Sequence, residues 1–321
     1  MLWRQVLEAF DLLDSARADG ARVEQALREA GLTEITSTRV QGEQGSTEFI
    51  RAFVPGTRGR RAGGDAPTLG ILGRLGGVGA RPERIGFVSD GDGALVAIAC
   101  ALKLGGMASN GDRLAGDVIV ATHVCPTALV RPHDPVPFMV SPVDMAQMNR
   151  HEVDPRMEAI LSVDTTKGNR LINLRGFVIS PTVKQGYILR VSEDLLDLMQ
   201  NVTGRLPVVF AVTTQDITPY GNGLFHLNSI VQPAVATVAP VVGVAITTEV
   251  PVAGSATGAS HLDDVESAAR FCLEVAKAFG AGTCRFYDEP EFERIRALYG
   301  DMSHLQTLGR DGGRRHAGVD G

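Results

Sequence analysis

Two carboxylates separated by glycine, Asp90-Gly91-Asp92-Gly93, stand between an apolar, strand-like approach over residues 84–88 and an apolar helical pattern over residues 95–104. In α/β enzymes the carboxyl ends of strands open onto the crevice where helices begin, and groups placed there meet the ligand. Carboxylates in that position hold a metal ion or handle protons. Two more strand-like segments end in polar groups. The β-branched run 117–124 delivers His123 and Cys125, which share one face because they are two residues apart, and residues 159–163 lead to Asp164. Carboxylates and imidazoles converging on one crevice suit zinc, manganese or a related divalent ion. His226, in a glycine-rich loop beside Asn222 and Asn228, and His261, directly before a helical pattern, are further candidate ligands. Glu249 ends its strand and can act as a base, and Asp92 is a second candidate for proton transfer.

The glycines of residues 73–79 let a backbone approach a ligand closely, and Arg74 among them can meet an acidic substrate, with Asn222 as a further contact. The spacing is not GxGxxG and no Lys-Ser/Thr follows, so a nucleotide site is disfavoured and a tight turn explains the glycines equally well. Each candidate has an ordinary structural reading: a strand-end Asp caps a turn, a lone His is a hydrogen-bonded structural residue, and Cys125 is a buried inert thiol. His133, His151, His304 and His316 lie in irregular or tail segments and read as solvated.

The elements that must position these groups alternate. Residues 1–31 hold two helical patterns broken near residues 18–20, and residues 34–39 and 47–54 are β-rich and predicted to pair. Short strands are predicted at 68–72, 84–88, 117–124, 159–163, 207–212 and 241–247, and helices at 95–104, 192–201 and 262–279, the last with Ser260 as N-cap. Residues 126–157 are proline-rich and irregular, and the tail from 310 reads as disordered. This alternation predicts an α/β fold: a three-layer sandwich with a mixed, largely parallel central sheet, forming one domain over residues 1–302 and a flexible tail at 303–321.

Composition narrows the classes. The formal net charge is −6 and the one basic cluster, residues 56–64, is glycine-rich, so no basic stripe for nucleic acid is present. The four cysteines form no CxxC pair, and the amphipathic, acid-bearing start is not a secretory signal, which together point to a cytoplasmic protein with free thiols. Residues 228–248 carry no charge, but Pro233 and Pro240 interrupt them, so a buried helix or turn followed by a strand is predicted rather than a membrane span. The same apolar stretch suits a homo-oligomer interface.

Asp90-Gly91-Asp92-Gly93 with its helix, the run Gly116-Asp117-Val118-Ile119-Val120-Ala121-Thr122, and Ser162-Val163-Asp164-Thr165-Thr166 together resemble the core of the co-catalytic zinc aminopeptidases over roughly residues 68–280. Asn222-Gly223-Leu224-Phe225-His226 and residues 243–249 fall where that fold would place them. The chain as a whole looks like the bacterial family named domain of unknown function 1177. The resemblance implies a zinc-aminopeptidase-like sheet, with Asp90 bridging two metals and Asp164 as a ligand. It also exposes departures: Arg74 and Gly76 stand where a His-x-Asp is expected, and Pro126-Thr127 where a Glu-Glu pair is expected. A metal-dependent hydrolase with a remodelled site is therefore expected, acting on a peptide, amide or related small molecule. Its ion would be held by Asp90, Asp164, His123, His226 and His261. Two alternatives stand beside it: a metal-free ligand-binding protein on the same sheet, and metal-free acid–base chemistry through Asp90, Asp92 and His123.

Overall fold

In the computed structural model, which describes residues 1–74, 76–79, 84–134, 136–212 and 228–306, the two helical patterns at the start of the chain form α1 (Trp3–Leu13) and α2 (Gly20–Glu29). The side chain of Asp19 caps α2 by accepting from the Arg22 N–H at 2.8 Å. A hairpin follows, β1 (Glu34–Gly42) and β2 (Gly45–Val54), paired antiparallel as predicted. Next come β3 (Leu69–Gly73), a 3-10 turn at Ser89–Gly91 that leads into α3 (Asp92–Ser109), and β4 (Val118–Val124). The proline-rich stretch is more ordered than its composition suggests. It carries a small separate hairpin, β5 (Leu129–Arg131) with β6 (Phe138–Val140), and a helix, α4 (Met145–Glu152), capped by Asp144. Then follow β7 (Ala159–Thr165), β8 (Gly176–Ile179), β9 (Val183–Lys184), β10 (Tyr187–Ile188) and α5 (Glu193–Thr203), the last capped by Ser192. A 3-10 segment at Ser229–Val235, β11 (Val241–Thr247), α6 (Leu262–Gly280) and α7 (Glu289–Tyr299) complete the order.

The main sheet runs β1-β2-β4-β3-β7-β11-β9-β10, with β8 also paired to β11. Its four central strands are parallel to one another, and the flanking strands are antiparallel. Every residue of β3, β4 and β11 is buried, as a parallel strand covered on both faces requires. One face packs against α1, α2, α3, α5 and α6. The other is covered by α4, the 229–235 segment and irregular chain, with Leu72, Ile119, Ile160 and Ala245 meeting Met157, Phe210, Ile230 and Val231. α3 is long and apolar enough to span a membrane, but it lies buried against the sheet as a core helix. The uncharged stretch 228–248 forms the 3-10 segment and β11 rather than one long helix.

Two predicted strands are absent. Residues 84–88 form no strand: Gly86 adopts φ +97°, Phe87 packs on Phe10 with ring centroids 5.3 Å apart, and both edges of β3 are already taken by β4 and β7. Residues 207–212 make only an isolated bridge, Ile179 with Val209. Asp90 therefore arrives on a helical turn instead of a strand end.

That turn sits tightly on the sheet. A Cβ on Gly93 would lie 2.6 Å from the Arg74 carbonyl oxygen and 2.7 Å from that of Val163, so the start of α3 rests directly on the ends of β3 and β7. Gly93→Ala is expected to cost about 1–3 kcal/mol by overpacking. Gly106→Ala, later in the same helix where an added Cβ meets nothing within 4 Å, should be neutral or stabilising by up to about 1 kcal/mol. Urea denaturation of the two variants measures the difference.

Candidate active site

Lys167, two residues past the end of β7, is 3% exposed, and a buried ammonium needs partners. It donates to the Asp92 carboxylate at the first position of α3 and to the Ala259 carbonyl oxygen at 2.8 Å. The Lys167 carbonyl in turn accepts from Val252 N–H at 2.8 Å. One cation thus joins the end of β7, the start of α3 and the chain that enters α6. Burial pushes the Asp92 carboxyl up from its ordinary range, and the charge of Lys167 opposes that shift. The Ser260 hydroxyl also acts on the Asp92 carboxyl, as a hydrogen bond that lowers it. Ser260 is not the cap of α6: His261 holds that position and makes no side-chain cap.

Asp90 lies beside this pair and is half-buried. Its N–H donates to Gly254 O at 3.0 Å, while Ser89 donates to Ala256 O and Ala253 O, each at 3.0 Å. The residues around Gly254 thus close over the carboxyl, and a Cβ at Gly254 would collide with it. Thr165 Oγ1 donates to Asp90 Oδ1 at 3.3 Å. Burial raises the Asp90 carboxyl to about 6. The Thr165 hydrogen bond and the Lys167 charge lower it, and the charge of Asp92 adds to the rise. A carboxyl poised there exchanges protons near neutral pH.

The opposite face of the sheet holds a second ionic group. Arg74, after β3, and Glu152, ending α4, are 1% and 0% exposed and pair at 2.5 Å, with a second guanidinium nitrogen against Met145 Sδ. His123, near the end of β4, meets Glu152 Oε1 through Nδ1 at 2.6 Å, and its Nε2 accepts from Gly76 N–H at 3.0 Å. An accepting Nε2 makes Nδ1 the protonated nitrogen, so the ring is neutral and both nitrogens are used. Burial pushes Glu152 up, but Arg74 and His123 together outweigh it and hold the carboxyl below its usual range.

The residues read from the sequence thus divide. Asp90, Asp92 and His261 come together near Lys167, and the charge of His261 acts on Asp92. Asp164 is buried within β7, its Oδ1 accepting from Thr165 N–H at 2.6 Å, and strand alternation sends it to the face opposite Thr165. Arg74 is committed to Glu152 instead of facing a ligand, and His123 has no nitrogen left for a metal. Glu249 is exposed in the turn after β11. His226 and Asn222 lie outside the described residues. Among the described residues, no group of three or more His, Cys, Asp or Glu is arranged to hold a metal ion. Of the carboxylates beside Asp90, Asp92 is already neutralised by an ammonium. Among the described residues, these groups as they stand do not fit zinc or manganese.

Lys167 and Glu152 escape the sequence reading, and Ser260 entered it only as a helix cap. One signal for Lys167 was present: the chain has only four lysines, and this one follows Asp164 by three residues at a strand end.

The model of a family described as protein of unknown function, DUF1177, matches residues 38–309. Among solved structures, the chain is similar to the LapA aminopeptidase of Legionella pneumophila at 12% identity and a TM-score of 0.43, with 88% of this chain and 70% of that one covered. No curated protein matches.

Removing one partner from a buried ion pair strands the other charge. Glu152→Gln is therefore expected to lose about 3–5 kcal/mol at neutral pH. Because the folded-state pKa of Glu152 is depressed, its contribution is present above the ordinary glutamate value of about 4.3 and is lost as pH falls through the lower folded value. Denaturation followed from pH 7 downward should show a steep acid limb in the wild type that is weaker in Glu152→Gln.

Proposed function

We propose that this chain, which belongs to the DUF1177 family of unknown function, is a hydrolase of peptides, amides or related small molecules with Asp90 as its acid–base group. The observation that carries this reading is a half-buried carboxyl raised to about 6 beside a fixed, buried ammonium. In the ionised form Asp90 accepts a proton from water while the water oxygen bonds to the substrate carbonyl carbon. The proton then passes to the leaving nitrogen as the C–N bond breaks, so Asp90 returns to its starting state. A lysine ammonium has three N–H donors, and Lys167 uses two on Asp92 and Ala259. The third supports the oxyanion that develops on the carbonyl oxygen. Asp92 holds the ammonium in place and takes no proton in this scheme.

Asp90→Asn is expected to lower kcat by about 100- to 10,000-fold, the range general acid–base groups contribute, and kcat/KM of the wild type should rise with pH through a midpoint of about 6. The same substitution should stabilise the fold. A raised folded pKa means that Asp90 contributes its stability below the unfolded value of about 3.9 and loses it as pH rises through about 6. Asp90→Asn should therefore raise stability at pH 8 by on the order of 2 kcal/mol, a gain that disappears near pH 4. Paired rate and denaturation measurements across pH check both. Rates unchanged by chelation fit this scheme, whereas loss of activity on chelation, restored by zinc or manganese, returns the site to the metal-dependent hydrolysis expected from the sequence. Absence of turnover with every amide tested leaves a ligand-binding protein.

A further inference from the structure

The described sheet ends at β10, and α7, which lies over this end, is mostly exposed. Among the described residues of α7 only Phe292 is buried, held edge-on by Tyr187 and Tyr287 with the Lys184 ammonium 5.3 Å from its ring centre. A helix of 11 residues is marginal in water unless one face is packed. Here apolar surface points outward instead: Leu298, Tyr299 and Leu305 are 51–75% exposed. They belong to one end of the molecule. Tyr187 Oη donates to Gly300 O at 2.9 Å and Gln306 Nε2 to Ala234 O at 2.8 Å, which ties the chain beyond α7 to the end of the sheet.

The charges of α7 are ordered along it. Glu289, Glu291 and Glu293 come first, and Arg294 and Arg296 follow. Glu291, Arg294 and Leu298 recur at the spacing i, i+3, i+7, so they form one stripe, and all three are exposed. Laid antiparallel on itself, across a two-fold axis at the level of Phe292 and Glu293, this stripe is its own complement. Glu291 of each copy then faces Arg294 of the other, while Ile295 and Leu298 pass over the other copy's first turn, where Pro290 is exposed. A parallel arrangement sets like charges and like helix dipoles side by side. Within its own chain Glu291 pairs with Arg190 at 3.0 Å, an exposed contact that contributes little and leaves the carboxylate open to a second guanidinium. The tail is a poor occupant, since residues 307–321 offer Leu308 and Val319 as large apolar side chains among five glycines. The stretch 228–248, expected from its lack of charge to form an oligomer interface, is used in the core, and of its large apolar side chains only Val238 is exposed.

We propose that α7 is the centre of a two-fold interface between two copies of this chain, with reciprocal Glu291–Arg294 pairs along the seam and Ile295, Leu298 and Pro290 packed beside them. The interface lies beyond β11 and β9 from β7, the strand that carries Thr165 beside Asp90, so it does not depend on the hydrolase reading.

Sedimentation equilibrium of the full chain over a range of concentrations tests the interface. The wild type should reach twice the chain mass as concentration rises. Glu291→Arg and Arg294→Glu should each weaken the dimer by about tenfold or more, because like charges then meet twice across the seam. Mixed in equal amounts, these two variants should recover the dimer, since each supplies the charge that the other now needs; a role confined to one chain gives no recovery. Leu298→Asp should also weaken the dimer, whereas Leu7→Asp, at another exposed apolar residue in α1, should leave it unchanged. Circular dichroism shows which variants are folded. A single-chain mass at every concentration overturns the proposal. So does a dimer that folded Arg294→Glu and Leu298→Asp leave intact, or a mixture of the folded charge-reversed variants that stays monomeric. Asp90→Asn should dimerise as the wild type does, so a lost dimer with turnover retained, or lost turnover with the dimer retained, tells failure of one reading from failure of the other.

Discussion

An ammonium cannot be left alone in a protein interior, and the carboxyl edge of this sheet is arranged around that fact. Lys167 is almost fully enclosed, and stripping it of water costs several kcal/mol unless acceptors meet it. Asp92 and the Ala259 carbonyl do so. Because these acceptors belong to the start of α3 and the approach to α6, the two long core helices are drawn to one point beyond the end of β7. The glycine at 93 makes this possible by letting α3 settle onto the carbonyls of β3 and β7.

The chemistry follows from the same enclosure. Burial raises Asp90, and the ammonium next door keeps it from rising further, so the two opposing effects leave its carboxyl near neutrality. Gly254 matters for a related reason. Its lack of a side chain allows the 253–256 backbone to close on the carboxyl, which supplies much of the desolvation. On the far face Glu152 plays the role that Lys167 plays on the near one. A single buried carboxylate collects Arg74 from the end of β3 and His123 from the end of β4, and fixes both to α4.

Much of the framework was legible because local pattern and tertiary demand agree. The alternation of β-branched runs and helical patterns gave β2, β3, β4, β7 and β11 together with α3, α5 and α6, since parallel strands buried on both faces must be continuously apolar. Where the prediction failed, the sheet had the final word. Residues 84–88 carry strand-like side chains, but β3 already has a neighbour on each side, and the glycine at 86 takes a left-handed conformation that breaks the run. The helix α4 was hidden for the reverse reason: prolines at 142 and 155 flank it without entering it, and its cap, Asp144, is one ordinary residue in a stretch read as irregular.

By itself the sequence determined the α/β architecture and the family resemblance, both of which rest on short-range spacing that a single chain displays. Only the tertiary structure decided which charges meet. Lys167 and Asp92 are 75 residues apart, and Arg74 and Glu152 are 78 apart. No periodicity connects such groups, because their pairing is set by the stacking of strand ends and by the cost of leaving any one of them unpaired in the interior. That cost pairs Arg74 and His123 with Glu152, and gives Asp90 the neighbour that tunes it.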